Sequence, residues 1–255
     1  MVISFHKTVR EEGLIRPSRS KRDPRIGPDA LQVLIKADLD NLIKLQGQGQ
    51  FFCRNLDFFK LYSAKGDSRG LSLFGPFLGA PQAVMGLEKV ITLGAERIWV
   101  LGWCGSLQTD LKIGDFVIPT NALIEEGTSS HYPLGDRDPA TDLELNNMIE
   151  TALKKRGQTV RTGGIWTTDA PYRETPSKIA AYRNLGLLAV EMEMSALMTV
   201  ALFRGVRLAG LLIVSDELAD MKWRHGFSDP RFRNATRTAG EVLFELASAQ
   251  VRRPF

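Results

Sequence analysis

Leu187-Leu188-Ala189-Val190-Glu191-Met192-Glu193-Met194 is an apolar run that ends in two carboxylates one residue apart. Read as a strand, it sets side chains alternately on opposite faces, so Glu191 and Glu193 point together and Met192 points away. Acidic groups at the end of a buried strand are costly unless something uses them. The vicinal hydroxyls of a sugar would, because a carboxylate accepts hydrogen bonds strongly from such donors. The other reading is a helix N-terminus, whose dipole stabilises acidic residues. The stretch alone leaves both open.

Working outward, helix-like spacing follows from about Ser195 to Phe203, and a second apolar strand runs from Leu208 to Ser215. Upstream, Gly163–Thr167 is strand-like, and Pro176 after Thr175 opens a helix to about Arg183. Thr141-Asp142-Leu143-Glu144 reads as a capping box that starts a helix to about Arg156. Arg97–Leu101 is an apolar strand that runs into Gly102-Trp103-Cys104-Gly105-Ser106, and Leu111–Ile118 holds a turn and another strand. Nearer the N-terminus, Leu31–Ile35 is a short apolar run and Leu39–Leu45 an amphipathic segment. Gln46–Gln50 is a break, and two β-like runs around Phe58–Tyr62 and Leu71–Phe74 flank a turn at Lys65-Gly66-Asp67. Pro81–Leu93 has helical spacing, and Asp229-Pro230 opens a last helix to about Val251. Alternating strands and helices predict an α/β fold: a single-domain three-layer sandwich with a central mixed, largely parallel sheet flanked by helices. Residues 1–30 read as an irregular arm and 31–255 as the domain.

The 255 residues suffice to bury a substantial core. A net charge of +4 is too mild to argue for nucleic acid. The basic cluster Arg16, Arg19, Lys21, Arg22 and Arg25, mixed with prolines and serines, reads as a solvated arm. Cys53 and Cys104 give no disulfide framework and fit a cytoplasmic protein. No signal-peptide core and no membrane-spanning apolar stretch is seen, so no membrane partner is expected. His6, His131 and His225 are scattered, without metal-ligand spacing, so no metal is expected.

Ligands of open α/β sheets gather at the carboxyl ends of strands. Three clusters sit at such ends: Gly102–Ser106, Glu191–Glu193 and Ser215-Asp216. Neither a dinucleotide-binding glycine fingerprint nor a Walker-type loop is present. In this order the clusters resemble the nucleoside phosphorylase/nucleosidase family. Ile113-Gly114-Asp115, Glu126-Gly127-Thr128-Ser129-Ser130-His131-Tyr132 and Thr167-Thr168-Asp169-Ala170-Pro171-Tyr172 extend the match. The resemblance implies cleavage of the bond between ribose C1′ and a base through an oxocarbenium-like transition state. It implies Glu193 as the ribose anchor, with Met192 packing on the sugar and Glu191 beside it. Asp216 matches the aspartate that hydrogen-bonds or protonates purine N7. Thr168, Tyr172 and Ser215 are base-side candidates, with Tyr172 or Trp166 as stacking platforms, although Trp166 reads better as core. Gly102, Trp103, Cys104, Gly105 and Arg54 fall on the phosphate or nucleophile side, Arg54 being supplied in the family by a neighbouring subunit. His6 resembles a histidine that reaches a neighbour's 5′-hydroxyl in some members.

The departures concern the anion site. The family's Gly-Asp-Pro-x-x-Arg turn is here Ala37-Asp38-Leu39-Asp40-Asn41, a second arginine position holds Val100, and Trp103 replaces a small hydroxyl residue. Each lost charge-assisted contact weakens phosphate binding by about 1.5–3 kcal/mol. The expected function is phosphorolysis of a purine-type nucleoside, with phosphate as co-substrate and no cofactor. The alternatives are hydrolysis of the same bond by water, or a non-catalytic nucleoside-binding homologue. A homodimer, or a hexamer built from dimers, is expected.

Overall fold

A computed structural model of the chain describes residues 12–45, 51–56, 58–64 and 70–251. The expectations for His6, for the break at 46–50 and for the turn at 65–67 lie outside the described residues. The strands are β1 (Asp29–Val33), β2 (Phe51–Leu56), β3 (Phe59–Ala64), β4 (Ser72–Gly75), β5 (Arg97–Ser106), β6 (Phe116–Glu125), β7 (Val160–Thr168), β8 (Ala189–Glu191), β9 (Arg207–Glu217) and β10 (Arg224–His225). The helices are α1 (Lys36–Leu45), α2 (Ala80–Leu93), α3 (Leu143–Lys155), α4 (Pro176–Asn184), α5 (Met194–Arg204) and α6 (Pro230–Val251).

These strands form one sheet in the order β10-β9-β6-β7-β8-β5-β1-β4-β3-β2. β9 also pairs with β5, so β5, β9, β6, β7 and β8 close into a ring. The sheet is mixed: among the described residues, five pairings are parallel and five antiparallel. Helices cover both faces. One apolar core lies beneath α2 and α5, and the other beneath α1, α3 and α6. The alternation of β5 serves both, with Ile98, Val100 and Cys104 in the first and Trp99, Leu101 and Trp103 against the second.

β5 continues through Gly102–Ser106, beyond the Arg97–Leu101 strand read from the sequence. The glycines are there for packing. A Cβ at Gly102 would lie 2.7 Å from Leu34 Cδ1, and one at Gly105 would lie 3.0 Å from both Asp216 Oδ2 and Leu218 Cδ1. One edge of β5 pairs with β9 along its whole length. The other edge pairs with β1 up to Leu101 and with β8 from Gly105 onward. The sheet therefore forks beside Gly102–Cys104, at the carboxyl end of β1, which is where open α/β sheets place ligands.

Two local expectations need correction. The cap of α3 is Asp142, whose carboxylate accepts from Leu145 N at 3.0 Å, while Glu144 turns away to Arg207. Thr141 instead donates its hydroxyl to the Pro119 carbonyl. β2 had no sequence signal because only Phe51 at its start is buried, so no apolar alternation marks it. The start of α4 does follow its Thr175-Pro176 signal, with Thr175 Oγ1 accepting from Lys178 N.

Candidate active site

The paired glutamates are not two teeth of one strand. β8 ends at Glu191, and Glu193 is the N-cap residue of α5. Glu191 turns back into the protein and accepts from Glu193 N at 2.7 Å, Met194 N at 2.8 Å and the Thr167 hydroxyl. It thus satisfies the orphan donors of α5, so the helix-terminus reading holds for Glu191. Thr167 is fixed in turn, since its Oγ1 also accepts from Ser195 N at 3.0 Å. Glu126 completes the support by accepting from Ser195 Oγ, Thr128 N and Ser129 N.

Glu193 faces a different element. Its Oε1 accepts from Gly79 N at 2.6 Å, at the N-terminus of α2. Gly79 has φ +82°, a conformation that favours glycine. Nothing in the sequence pointed to this partner beyond a glycine placed before Ala80-Pro81 at the helix start. Met192, between the glutamates, is half-buried.

Both glutamates are buried, and burial pushes both carboxyls up. Glu193 rises to about 8, through burial first and then through the charge of Glu191. Glu191, which accepts three hydrogen bonds where Glu193 accepts one, is the better place for the pair's negative charge. Glu193 is then the protonated member near neutral pH, able to donate one hydrogen bond while accepting another.

This arrangement has a stability consequence. The folded-state value lies above the ordinary value of 4.5, so the folded protein keeps a proton that the unfolded chain has released. The associated stability is complete below about pH 4.5 and is lost as pH rises towards 8. Glu193→Gln removes the titration. We expect wild type to lose on the order of 2 kcal/mol relative to E193Q between about pH 5 and pH 8. Urea unfolding at several pH values checks this, and parallel stability curves for the two proteins would refute it.

Asp216 lies on β9 beside Gly105, in register with it. Its Oδ1 accepts from Ser215 Oγ at 2.7 Å, and its Oδ2 accepts from Trp223 Nε1 at 3.0 Å. Ser215 Oγ also lies 3.2 Å from the Cys104 carbonyl, which ties β9 to β5. Between Asp216 and Glu191 sits the buried Cys104. Burial, and then those two charges, push its thiol well above the usual range, so it is a packing group and not a nucleophile. Glu174 is a further carboxyl on this side that the sequence did not single out. Burial, and then the Asp216 charge, raise it to about 7.

The remaining candidates divide. Thr168 is buried, and its hydroxyl accepts from Ala170 N. Trp166 is fully buried, edge-on to Tyr182, and belongs to the core. Tyr172 is 99% exposed, so nothing within this chain packs against its ring. Arg54 is on β2, four strand spacings or about 19 Å from β5. It lies 3.9 Å from Asp23 and is half-exposed. Trp103 donates from Nε1 to Asp38 Oδ2 at 2.7 Å and packs edge-on to Phe232. Burial pushes Asp38 up to about 6 against that hydrogen bond. Among the described residues no group of three His, Cys, Asp or Glu side chains is placed to hold a metal. No helix there is long and apolar enough to cross a membrane.

The fork in the sheet, the glutamates at the head of α5 and Asp216 on β9 define a site built at strand ends around one central strand. The chain belongs to the phosphorylase superfamily, whose family model matches residues 37–250. It is 27% identical over 180 residues to a guanosine phosphorylase of Halorubrum lacusprofundi, covering 71% of this chain and 74% of that protein. It is 32% identical over 152 residues to a DeoD-type purine nucleoside phosphorylase of Myxococcus xanthus, covering 59% of this chain and 64% of that one. In fold it is similar to the crystal structure of purine nucleoside phosphorylase from Toxoplasma gondii in complex with immucillin-H. That match has a TM-score of 0.80 at 20% identity and covers 96% of this chain and 99% of that one.

Proposed function

We propose that this protein cleaves the N-glycosidic bond of a purine-type nucleoside by phosphorolysis, giving free base and sugar 1-phosphate. The observation that carries the reading is the placement of Glu193 just beyond β8 and Asp216 near the end of β9, the two strands flanking Gly105 at the fork of the sheet. In this reading Glu193 binds ribose hydroxyls, Met192 packs on the sugar, and Glu191 fixes the turn that presents them. Thr168 and Ser215 lie on the base side. As the C1′–N9 bond breaks, its electron pair moves to the base, and Asp216 hydrogen-bonds or protonates N7. A phosphate oxygen forms the new bond to C1′. The negative charge kept on Glu191, buried near the developing cation, stabilises it. Phosphate is the co-substrate, approaching along Gly102–Gly105, and no cofactor is needed. Residues 31–255 act as one unit together with Asp29 and Ala30, which the sequence assigned to the arm but which open β1 and are fully buried in the sheet. Arg54 reaches the site, and His6 the 5′-hydroxyl, only from a neighbouring subunit, so the working form is a dimer or a hexamer of dimers. Cytoplasmic placement accords with the two free thiols.

A second reading, hydrolysis by water, has one specific observation in its favour. The Trp103 indole, bonded to Asp38, stands on the strand segment that lines the nucleophile side. The deciding experiment incubates the protein with purine and pyrimidine nucleosides, with and without phosphate, and analyses the products. Phosphorolysis predicts base and sugar 1-phosphate only when phosphate is present. Base plus free sugar in phosphate-free buffer would replace it with hydrolysis, and no release at all would leave a binding protein. Light scattering of the same preparation should give a dimer or hexamer, and a monomer would remove Arg54 from the site.

A further inference from the structure

Asp216 is already occupied by a side chain of its own hairpin. β9 turns at 218–223 and returns as β10, with Arg224 opposite Glu217 and His225 opposite Asp216. Arg224 Nη1 holds Glu217 Oε2 at 3.1 Å, and Gly226 N donates to the Ser215 carbonyl at 2.8 Å. Trp223 stands on the returning limb, 64% exposed, with its indole folded back so that Nε1–H meets Asp216 Oδ2. Because Ser215 holds Oδ1, Oδ2 is the oxygen left for a ligand. Oδ2 is also the atom beside the missing Cβ of Gly105.

The indole N–H is a donor on the five-membered ring of a fused bicycle, and it can only donate. A purine protonated at N7 presents the same kind of donor in the same kind of ring. We propose that Trp223 is an internal placeholder for the purine base, with its indole N–H occupying Asp216 until N7 of the departing or entering base displaces it. The rings behind Trp223 give the displaced hairpin a defined mooring. His225 stacks on Phe227 with rings 5.8 Å apart and 10° between planes, and Phe227 lies 5.9 Å from Trp103. The 218–227 hairpin thereby links the base end of the site to the nucleophile end, where Trp103 is held by Asp38. This inference rests on the purine reading given above and adds a residue that opposes binding instead of supporting it.

The test measures hypoxanthine affinity by calorimetry for wild type, W223F and W223A, together with the indole N–H resonances of the ligand-free proteins. Only four tryptophans are present, so W223F assigns the Trp223 signal. Removing a competing hydrogen bond to a carboxylate at an exposed position should tighten purine binding about tenfold in both variants. In wild type the Trp223 signal should move with D216A, which deletes the acceptor, and move to the same place when hypoxanthine is added. Equal or weaker binding by W223A would overturn the placeholder and make the ring a bystander or a stacking platform. An indole signal indifferent to D216A would show that the contact does not form in solution. If the contact is present but no variant binds purine, the functional reading falls and takes the proposal with it. Purine bound equally by wild type and both variants sinks the placeholder alone.

Discussion

Asp216→Asn is expected to lower kcat for purine nucleosides by about two to four orders of magnitude, the usual loss when a positioned acid is removed. The fall should appear in kcat more than in KM. The substituted amide keeps the shape and an acceptor oxygen but has no proton to give as the C1′–N9 bond opens, so the variant still binds the ground state. The surroundings favour this split. Gly105 leaves space around Oδ2, and Ser215 still holds the side chain from the Oδ1 side. Steady-state kinetics with a nucleoside whose base is a poor leaving group makes the measurement decisive. Retained kcat in D216N would remove Asp216 from proton transfer, and Glu174, raised to about 7 beside it, would become the candidate acid.

The second large effect is on stability and lies at the opposite end of β5. At the start of β5, Arg97 Nε donates to Asp29 Oδ1 at 2.9 Å, and Nη2 donates to Oδ2 at 2.5 Å. Trp99 Nε1 adds a third donor to Oδ1 at 3.0 Å. Asp29 is fully buried at the first position of β1 and Arg97 is nearly so. The hydrogen bond to Asp29 raises the Arg97 guanidinium above its already high value. Arg97→Ala leaves the carboxylate buried and without its countercharge, at a cost of about 3–5 kcal/mol. Replacing both partners by leucine removes the stranded charge and should recover most of the loss. Urea unfolding of the three proteins tests this. A loss under about 1 kcal/mol in R97A, or a double variant no better than the single one, would contradict it.

The fold was legible wherever local chemistry and tertiary structure agree. Thr175-Pro176 starts a helix because the cap and the fixed proline φ need nothing from the rest of the protein. Gly102 and Gly105 did not show that β5 runs on through them, because glycine serves close approach to a ligand as readily as close packing. Only the positions of Leu34 and Asp216, set by distant parts of the chain, tell the two apart. Glu191 and Glu193 were found as a pair, but their division was not. Strand alternation was applied across a boundary where β8 had already ended, and the Gly79 N–H that engages Glu193 lies 114 residues away. Tyr172 followed a motif whose local turn, a 3-10 helix at Pro171–Arg173, aims the ring outward. Trp223, His225 and Phe227 form an aromatic cluster visible in the sequence. Only the return of β10 along β9 brings Trp223 to Asp216.

The change of neighbours along β5 divides one strand between two tasks. Its first half, clamped between β1 and β9 with the Arg97–Asp29 pair at its foot, is foundation. Its second half hangs between β8 and β9 and carries Gly102, Trp103, Cys104, Gly105 and Ser106, beside Glu191 and Asp216. Substitutions above Leu101 can therefore reshape what is bound while the footing stays sound, and those below it undermine the building without touching the chemistry. A scaffold partitioned in this way can exchange one nucleophile for another, phosphate for water, by altering a few residues near the fork. Trp103 stands on the upper half, whereas Val100, fully buried in the core, belongs to the footing.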